Sequence, residues 1–120
     1  MRDAFSQTTP RQGRQQRATG APPFDLTPRW VAAEPRIDKQ RVLDFVTTND
    51  IVGGNSGSPV IAADGSVIGA AFDGNIHSLG GAYGYDPALN RTVAVSTGAV
   101  EETLTKVYPA PALLAELKAP

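Results

Sequence analysis

The chain has 120 residues, of which 41% are hydrophobic and none is cysteine, and it carries a formal net charge of −1. This length suits one small domain with about two-thirds of its surface buried on folding. The near-neutral balance gives no footprint for nucleic acid or anionic membrane. The lack of cysteine excludes disulfides and thiolate metal sites, and no run approaches the roughly 18 apolar residues of a membrane span.

Residues 1–18 are polar and basic, with Arg2, Arg11, Arg14 and Arg17 against the single acid Asp3. Such a segment cannot bury enough apolar surface to offset its ordering entropy, so disorder is expected there. Its arginines lack interleaved aromatics and make a weak nucleic-acid signal. Met1–Phe5 lacks the apolar core of a signal peptide, so the expectation is a chain that is not exported, or one lacking the upstream part that held the signal. Residues 19–120 form the second unit. It opens with a strap whose prolines Pro22, Pro23 and Pro28 enforce extended backbone, with Phe24, Leu26 and Trp30 as its expected anchors.

A short helical turn is expected within Val31–Gln40. The first clear strand is Val42–Thr47, β-branched and aromatic at alternate positions. Val60–Ala62 and Val67–Phe72 are joined across Asp64-Gly65, a strong hairpin signal. The second of these runs is apolar almost throughout and predicts a strand buried on both faces. A loop rich in Gly, Tyr and Pro follows from Asp73 to about Arg91, and Thr92–Ser96 reads as another strand. Gly98–Val107 is helical by the spacing of Val100, Leu104 and Val107, with Glu101 and Glu102 early and Lys106 late, as the macrodipole favours. Pro109 and Pro111 break that helix, and Leu113, Leu114 and Leu117 allow a last amphipathic turn.

Between the first strand and the hairpin lies Gly53-Gly54-Asn55-Ser56-Gly57-Ser58-Pro59-Val60. Three glycines, an asparagine and a proline make a tight turn with apolar segments on both sides. Two readings stay open for it. One is an ordinary structural loop. The other is a serine presented outward beside backbone N–H groups, as acyl transfer asks of a nucleophile. Within the second reading, the nucleophile elbow of α/β-hydrolases is disfavoured: it reads G-x-S-x-G and opens a helix, whereas Gly57 follows Ser56 directly and Pro59 opens a strand. A β-barrel serine peptidase fits better.

Several segments together resemble the C-terminal end of the S46 family of serine peptidases, the bacterial dipeptidyl-peptidases of types 7 and 11. They are Pro22–Leu26, the stretch from Asp44 through Ser56 to Val60, Phe72–Ile76, Tyr85–Val93 and the helix ending at Val107-Tyr108. The resemblance covers about residues 18–118. It implies a mainly β fold, part of the second barrel of a chymotrypsin-like double β-barrel, with a C-terminal helix. It also implies that Ser56 is the nucleophile and that the N–H groups of Gly54 and Ser56 form the oxyanion hole. Asp73 would hold the substrate's α-ammonium group. Gly74 would leave the pocket for the side chain before the cut open and uncharged, favouring apolar residues, where the acid-preferring type 11 branch has an arginine.

The same resemblance implies peptides with a free N-terminus as substrates and a periplasmic or secreted location. It places the catalytic histidine and aspartate in an N-terminal barrel, which would then be this segment's partner. The one histidine, His77, is a tempting base because Asp73 lies four residues before it, yet both follow Ser56 on one hairpin. A plain loop histidine is the expectation. Asp44, Asp50, Asp64 and Asp86 read as turn or edge residues, and no carboxylate spacing asks for a metal or cofactor. Asn90-Arg91-Thr92 is a glycosylation sequon that matters only in a eukaryotic secretory setting. Without the partner barrel the chain is expected to be nearly inactive. The alternative is a non-catalytic module that binds peptide N-termini or a partner strand along open sheet edges.

Overall fold

The computed structural model describes residues 7–8, 20–22 and 25–119. The expected anchor Phe24 and most of residues 1–18 lie outside the described residues. Among the described residues five strands form one antiparallel sheet: β1 (Gln7–Thr8), β2 (Asp44–Thr47), β3 (Pro59–Ile61), β4 (Val67–Gly74) and β5 (Thr92–Ser96), in the order β1-β2-β5-β4-β3. Among the described residues three helices accompany it: α1 (Pro28–Ala33), α2 (Thr97–Lys106) and α3 (Pro111–Leu117). Short 3-10 turns occupy Glu34–Arg36 and Ile76–Gly80. The described part is thus a mainly β assembly, as expected. Gln7–Thr8, within the segment expected to be disordered, pair with Phe45 and Asp44 of β2.

Local chemistry explains the elements. β5 alternates Thr92, Ala94 and Ser96, all buried, with Val93 and Val95, which are half-buried, and that period of two is what a strand requires. Its last residue then starts a helix. Ser96 Oγ accepts the Ala99 N–H at 2.9 Å, capping α2, and donates to Val42 O at 2.6 Å. One hydroxyl therefore fixes the helix start to the sheet. α1 begins with Pro28, whose fixed φ suits a first helical position. Beyond it, Pro35 converts the continuing helix into the 3-10 turn.

The core is thin and built of small residues. Ala33, Ala71, Ala94 and Ala99 are buried with Phe45 and Val107. Phe45 lies over Gly69, where no side chain intervenes. Two expectations change here. Leu26 is exposed and anchors nothing by burial, whereas Trp30 is partly covered beside Ile37, Leu43 and Val107. Strand β4 is also not buried on both faces, since Val67 is 53% and Phe72 48% exposed. Its apolar run lies next to the edge strand β3, and a bulge between Ala71 and Asp73 breaks the alternation, leaving both Phe72 and Asp73 open to solvent.

Ion pairs and hydrogen bonds attach α2 to its surroundings. Arg41 meets Glu101 at 3.1 Å, and Lys118 also pairs with Glu101. Glu102 receives the Asp38 N–H and Lys106 Nζ, each at 2.7 Å. Lys118 and Arg41 hold the Glu101 carboxyl below its ordinary value. Burial pushes Glu102 up, but the Asp38 N–H and Lys106 outweigh it and leave this group lowered too. A carboxyl lowered by folding adds stability above its unfolded value and loses it as pH falls through the folded one. Stability in a urea titration should therefore drop as pH falls below 4.5, and Glu101→Gln should flatten that drop.

Candidate active site

The Ser56 turn is a bridge across one end of the sheet. β2 and β3, which it connects in sequence, lie apart in the sheet with β5 and β4 between them. Thr47 and Gly74 both pair with Thr92, so the end of β2, the end of β4 and the start of β5 share one rung. The connecting loop runs along this end. Asn49 fastens its beginning: its Nδ2 donates to Thr92 Oγ1 at 3.0 Å, and Thr92 Oγ1 donates to Asn49 O at 2.9 Å. Thr92 is fully buried, so the clamp is anchored in the core. Tyr85 OH adds a hydrogen bond to Thr48 O.

The far end of the loop is stitched to β4. Gly57 N–H donates to Ala71 O at 2.7 Å, and Ala71 N–H donates to Ser58 O at 2.9 Å. These bonds place Ser56 beside the stretch of β4 that leads to Asp73. Between the two fixed ends the chain arches through Gly54 at φ +95° and Gly57 at φ +88°, a region costly to any residue with a Cβ. Asn55 closes the arch. Its Oδ1 accepts the Val52 N–H at 2.9 Å, its own N–H donates to Val52 O at 3.2 Å, and its carbonyl accepts the Ser58 N–H at 2.9 Å.

The consequence is a division of donors, with the Gly53, Gly54 and Ser56 N–H groups uncommitted among the described residues. Asn55, Gly57 and Ser58 spend their N–H groups on the backbone. Gly54 and Ser56 are exposed, and their N–H groups donate to no partner among the described residues. Two free backbone donors on either side of Asn55, beside an exposed hydroxyl, can stabilise an oxyanion.

Asp73 is exposed on β4 and accepts the Gly74 N–H at 2.8 Å, which leaves its other oxygen available to a cation. Gly74 does not leave empty space. A Cβ at this position would stand 2.9 Å from Ser78 Cβ and 3.1 Å from Ile51 Cγ2, so those two side chains already fill the volume. His77 is exposed on the 3-10 turn Ile76–Gly80, and no hydrogen bond joins it to Ser56 among the described residues. Of the loop acids, Asp50, Asp64 and Asp86 accept backbone N–H groups of nearby residues, as turn-formers do. Asp44 differs from its expected edge role, because β2 lies between β1 and β5. Burial pushes its carboxyl up, opposed by a backbone hydrogen bond.

Asn90 and Thr92 of the sequon are 3% and 0% exposed, so the folded chain offers no glycan acceptor. Among the described residues no cluster of three or more His, Asp or Glu side chains could hold a metal ion. Among the described residues no helix is long and apolar enough to cross a membrane. Sequence reasoning did not single out Asn49, Thr92, Tyr85 or Ser78. Their partners lie up to 43 residues away, and no short motif signals such pairs.

Known proteins share both sequence and shape with this chain. A family model described as Peptidase S46 matches residues 1–119. A dipeptidyl-peptidase 7 from Phocaeicola vulgatus is 63% identical over 51 residues, covering 42% of this chain and 7% of that protein. The dipeptidyl-peptidase 7 of Capnocytophaga gingivalis is 44% identical over 80 residues, covering 60% and 11%. An Asp/Glu-specific dipeptidyl-peptidase from Porphyromonas gingivalis is 34% identical over 102 residues, covering 78% and 14%. The chain therefore spans only 7% to 14% of the length of these curated relatives. Among solved structures, Porphyromonas endodontalis DPP11 in complex with the dipeptide Arg-Asp superposes with a TM-score of 0.83 at 23% identity, over 94% of this chain and 17% of that one. At that identity the match speaks for the fold.

Proposed function

Because the chain belongs to the Peptidase S46 family, we propose that it carries the nucleophile half of a serine dipeptidyl-peptidase site, with Ser56 as nucleophile and the Gly54 and Ser56 N–H groups as oxyanion donors. The observation that carries this reading is the donor pattern around Asn55, in which the N–H groups on either side of it, those of Gly54 and Ser56, are left unspent, as is that of Gly53. Ser56 Oγ would attack the carbonyl of the second residue of a peptide while the two N–H groups take the charge that develops on oxygen. A base and an orienting acid are still required. By resemblance they belong to an N-terminal barrel, the partner of this segment in a chymotrypsin-like pair, and the enzyme would act in the periplasm or outside the cell. The exposed Val52, Phe72, Ile76 and Leu79 supply apolar surface for that partner to cover.

Asp73 is the proposed amine anchor. A carboxylate held a fixed distance from Ser56 pairs with a free α-ammonium group and so measures two residues from the cut. Asp73→Asn should raise KM for dipeptidyl reporters about tenfold with kcat less affected, in line with a hydrogen bond to a charged group being worth about 1.5–3 kcal/mol. N-acetylated reporters should be insensitive to the change.

The test of the whole reading is labelling by a fluorophosphonate probe, applied to this chain and to a version extended at its N-terminus to full S46 length. Labelling of the extended protein alone, lost in Ser56→Ala, is the expected result. Rapid labelling or full hydrolysis by the 120-residue chain would refute the view that the base lies elsewhere. Labelling of neither would leave the non-catalytic reading, which one observation favours: β3 is a sheet edge with Ile61 59% exposed, open to pairing with a partner strand.

A further inference from the structure

Ser56 and Asp73 are referenced to β4 on opposite sides of its bulge. Up to Ala71 the strand pairs with β5 in one register, with Ala70 opposite Val95 and Ala71 opposite Ala94. Beyond Phe72 it is shifted by one, with Asp73 opposite Val93 and Gly74 opposite Thr92. The Ser56 turn is stitched to the first register, through Gly57 N–H to Ala71 O at 2.7 Å and Ala71 N–H to Ser58 O at 2.9 Å. Asp73 belongs to the second. That second register has only these two rungs within β4, and Asn75 closes it. The Asn75 N–H donates to Arg91 O at 3.0 Å and its Oδ1 accepts the Arg91 N–H at 3.1 Å, so Asn75 and Arg91 continue the ladder by one more rung. A side chain stands in for backbone there, because the Asn75 carbonyl is taken by the Ser78 N–H at 2.9 Å, which starts the 3-10 turn. Two further bonds fix the amide: Nδ2 donates to Leu89 O at 2.7 Å, and Oδ1 accepts Ser78 Oγ at 3.1 Å.

We infer that Asn75 is a positioning residue: by closing the ladder beyond the bulge it fixes where Asp73 stands relative to Ser56, and so how many residues a peptide offers before the cut. The inference rests on the peptidase reading of Ser56 and on Asp73 as amine anchor. Were the first register to continue, Phe72 would pair with Val93 and Asp73 with Thr92, and alternation along the strand would carry Asp73 to the face opposite Phe72. The bulge instead leaves both side chains exposed. Whatever holds the shifted register therefore holds the carboxylate. Asparagine suits the task because one short side chain supplies an acceptor for the rung and a donor for Leu89 O. Alanine supplies neither, and its backbone carbonyl cannot both begin the turn and complete the rung.

A double-mutant cycle on the protein extended to full S46 length tests this. Asn75→Ala should raise KM for a free-amine dipeptidyl reporter about tenfold with kcat less affected, as loss of the anchor itself would. The preference for a dipeptidyl over a tripeptidyl reporter should fall with it. In an Asp73→Asn background the same substitution should change KM less than about twofold, since residues acting through one contact are not additive. A merely structural role would instead lower activity alike in both backgrounds. Hydrogen exchange at the Arg91 amide reads the rung and should quicken in Asn75→Ala. Asn75→Asp keeps an acceptor for that amide and should keep both its protection and the reporter preference, which decides the matter if the alanine variant does not fold. Loss of Arg91 protection without a change in KM, or KM changes that add to those of Asp73→Asn, would overturn the inference. So would loss of the preference in Asn75→Asp with Arg91 still protected. A wild type that hydrolyses no reporter removes the peptidase reading, an unchanged KM in Asp73→Asn removes the anchor, and either takes this inference with it.

Discussion

Gly69→Ala will destabilise the sheet by about 3 kcal/mol or more. A Cβ at this position would stand 2.5 Å from Val95 O and 2.8 and 2.9 Å from Cε1 and Cζ of Phe45. Inserting a methyl into a packed core costs about 1–3 kcal/mol when side chains can move aside. Here the nearest atom is a backbone oxygen of β5, paired in register with β4 at Ala70 and Gly69 on adjacent rungs, so it cannot yield without opening the ladder. Phe45 is 7% exposed and is the large aromatic of a core otherwise made of small residues, which leaves it nowhere to turn. Urea unfolding followed by circular dichroism gives the measurement, with Gly84→Ala as control, since nothing lies within 4 Å of a Cβ there. Equal midpoints for Gly69→Ala and wild type would show that β4 and β5 do not pack as described.

How much of this was legible in the sequence depends on the range of the interactions. β5 runs Thr92–Ser96 in both readings, because strict alternation is written into consecutive residues. The α2 helix begins one residue earlier than its apolar spacing suggests, because Ser96 serves as both strand end and cap. The expected final turn at Leu113–Leu117 is the helix α3, Pro111–Leu117. β4 misled for a physical reason: an apolar run signals burial on both faces only away from a sheet edge, and its neighbour β3 is the edge. The Gly-Asn-Ser-Gly turn stands out as a turn from composition alone. Its path across the sheet does not, since that path is set by Asn49 meeting Thr92 and Gly57 meeting Ala71. The same holds at Gly74: its lack of a side chain is plain in the sequence, whereas the filling of that space by Ser78 and Ile51 emerges only when strand, turn and loop come together.

On the proposed reading of Ser56, Asn55→Ala in the protein extended to full S46 length will slow fluorophosphonate labelling about 10²- to 10³-fold, the scale seen when one oxyanion donor is lost. The reason lies in what Asn55 commits. Its side-chain carbonyl takes the Val52 N–H and its backbone takes the Ser58 N–H, and these bonds hold the arch in which the Gly54 and Ser56 N–H groups stay unspent. Without the side chain, the Val52 N–H is left seeking an acceptor, and the arch loses the bond that keeps Gly54 at φ +95°. Asn55→Asp separates this role from bulk stability. A carboxylate oxygen can accept the same Val52 N–H, so labelling should stay within a few-fold of wild type, while Asn55→Leu, of similar size and with no acceptor, should fail like alanine. Hydrogen exchange at the Val52 amide reads the bond directly and should be fast in the alanine and leucine variants and slow in the aspartate one. If all three label at the wild-type rate with Val52 still protected, the arch is held by its glycines and its two stitched ends. If Val52 loses protection in the alanine variant and labelling does not change, the free N–H groups of Gly54 and Ser56 are not the donors on which the reaction depends.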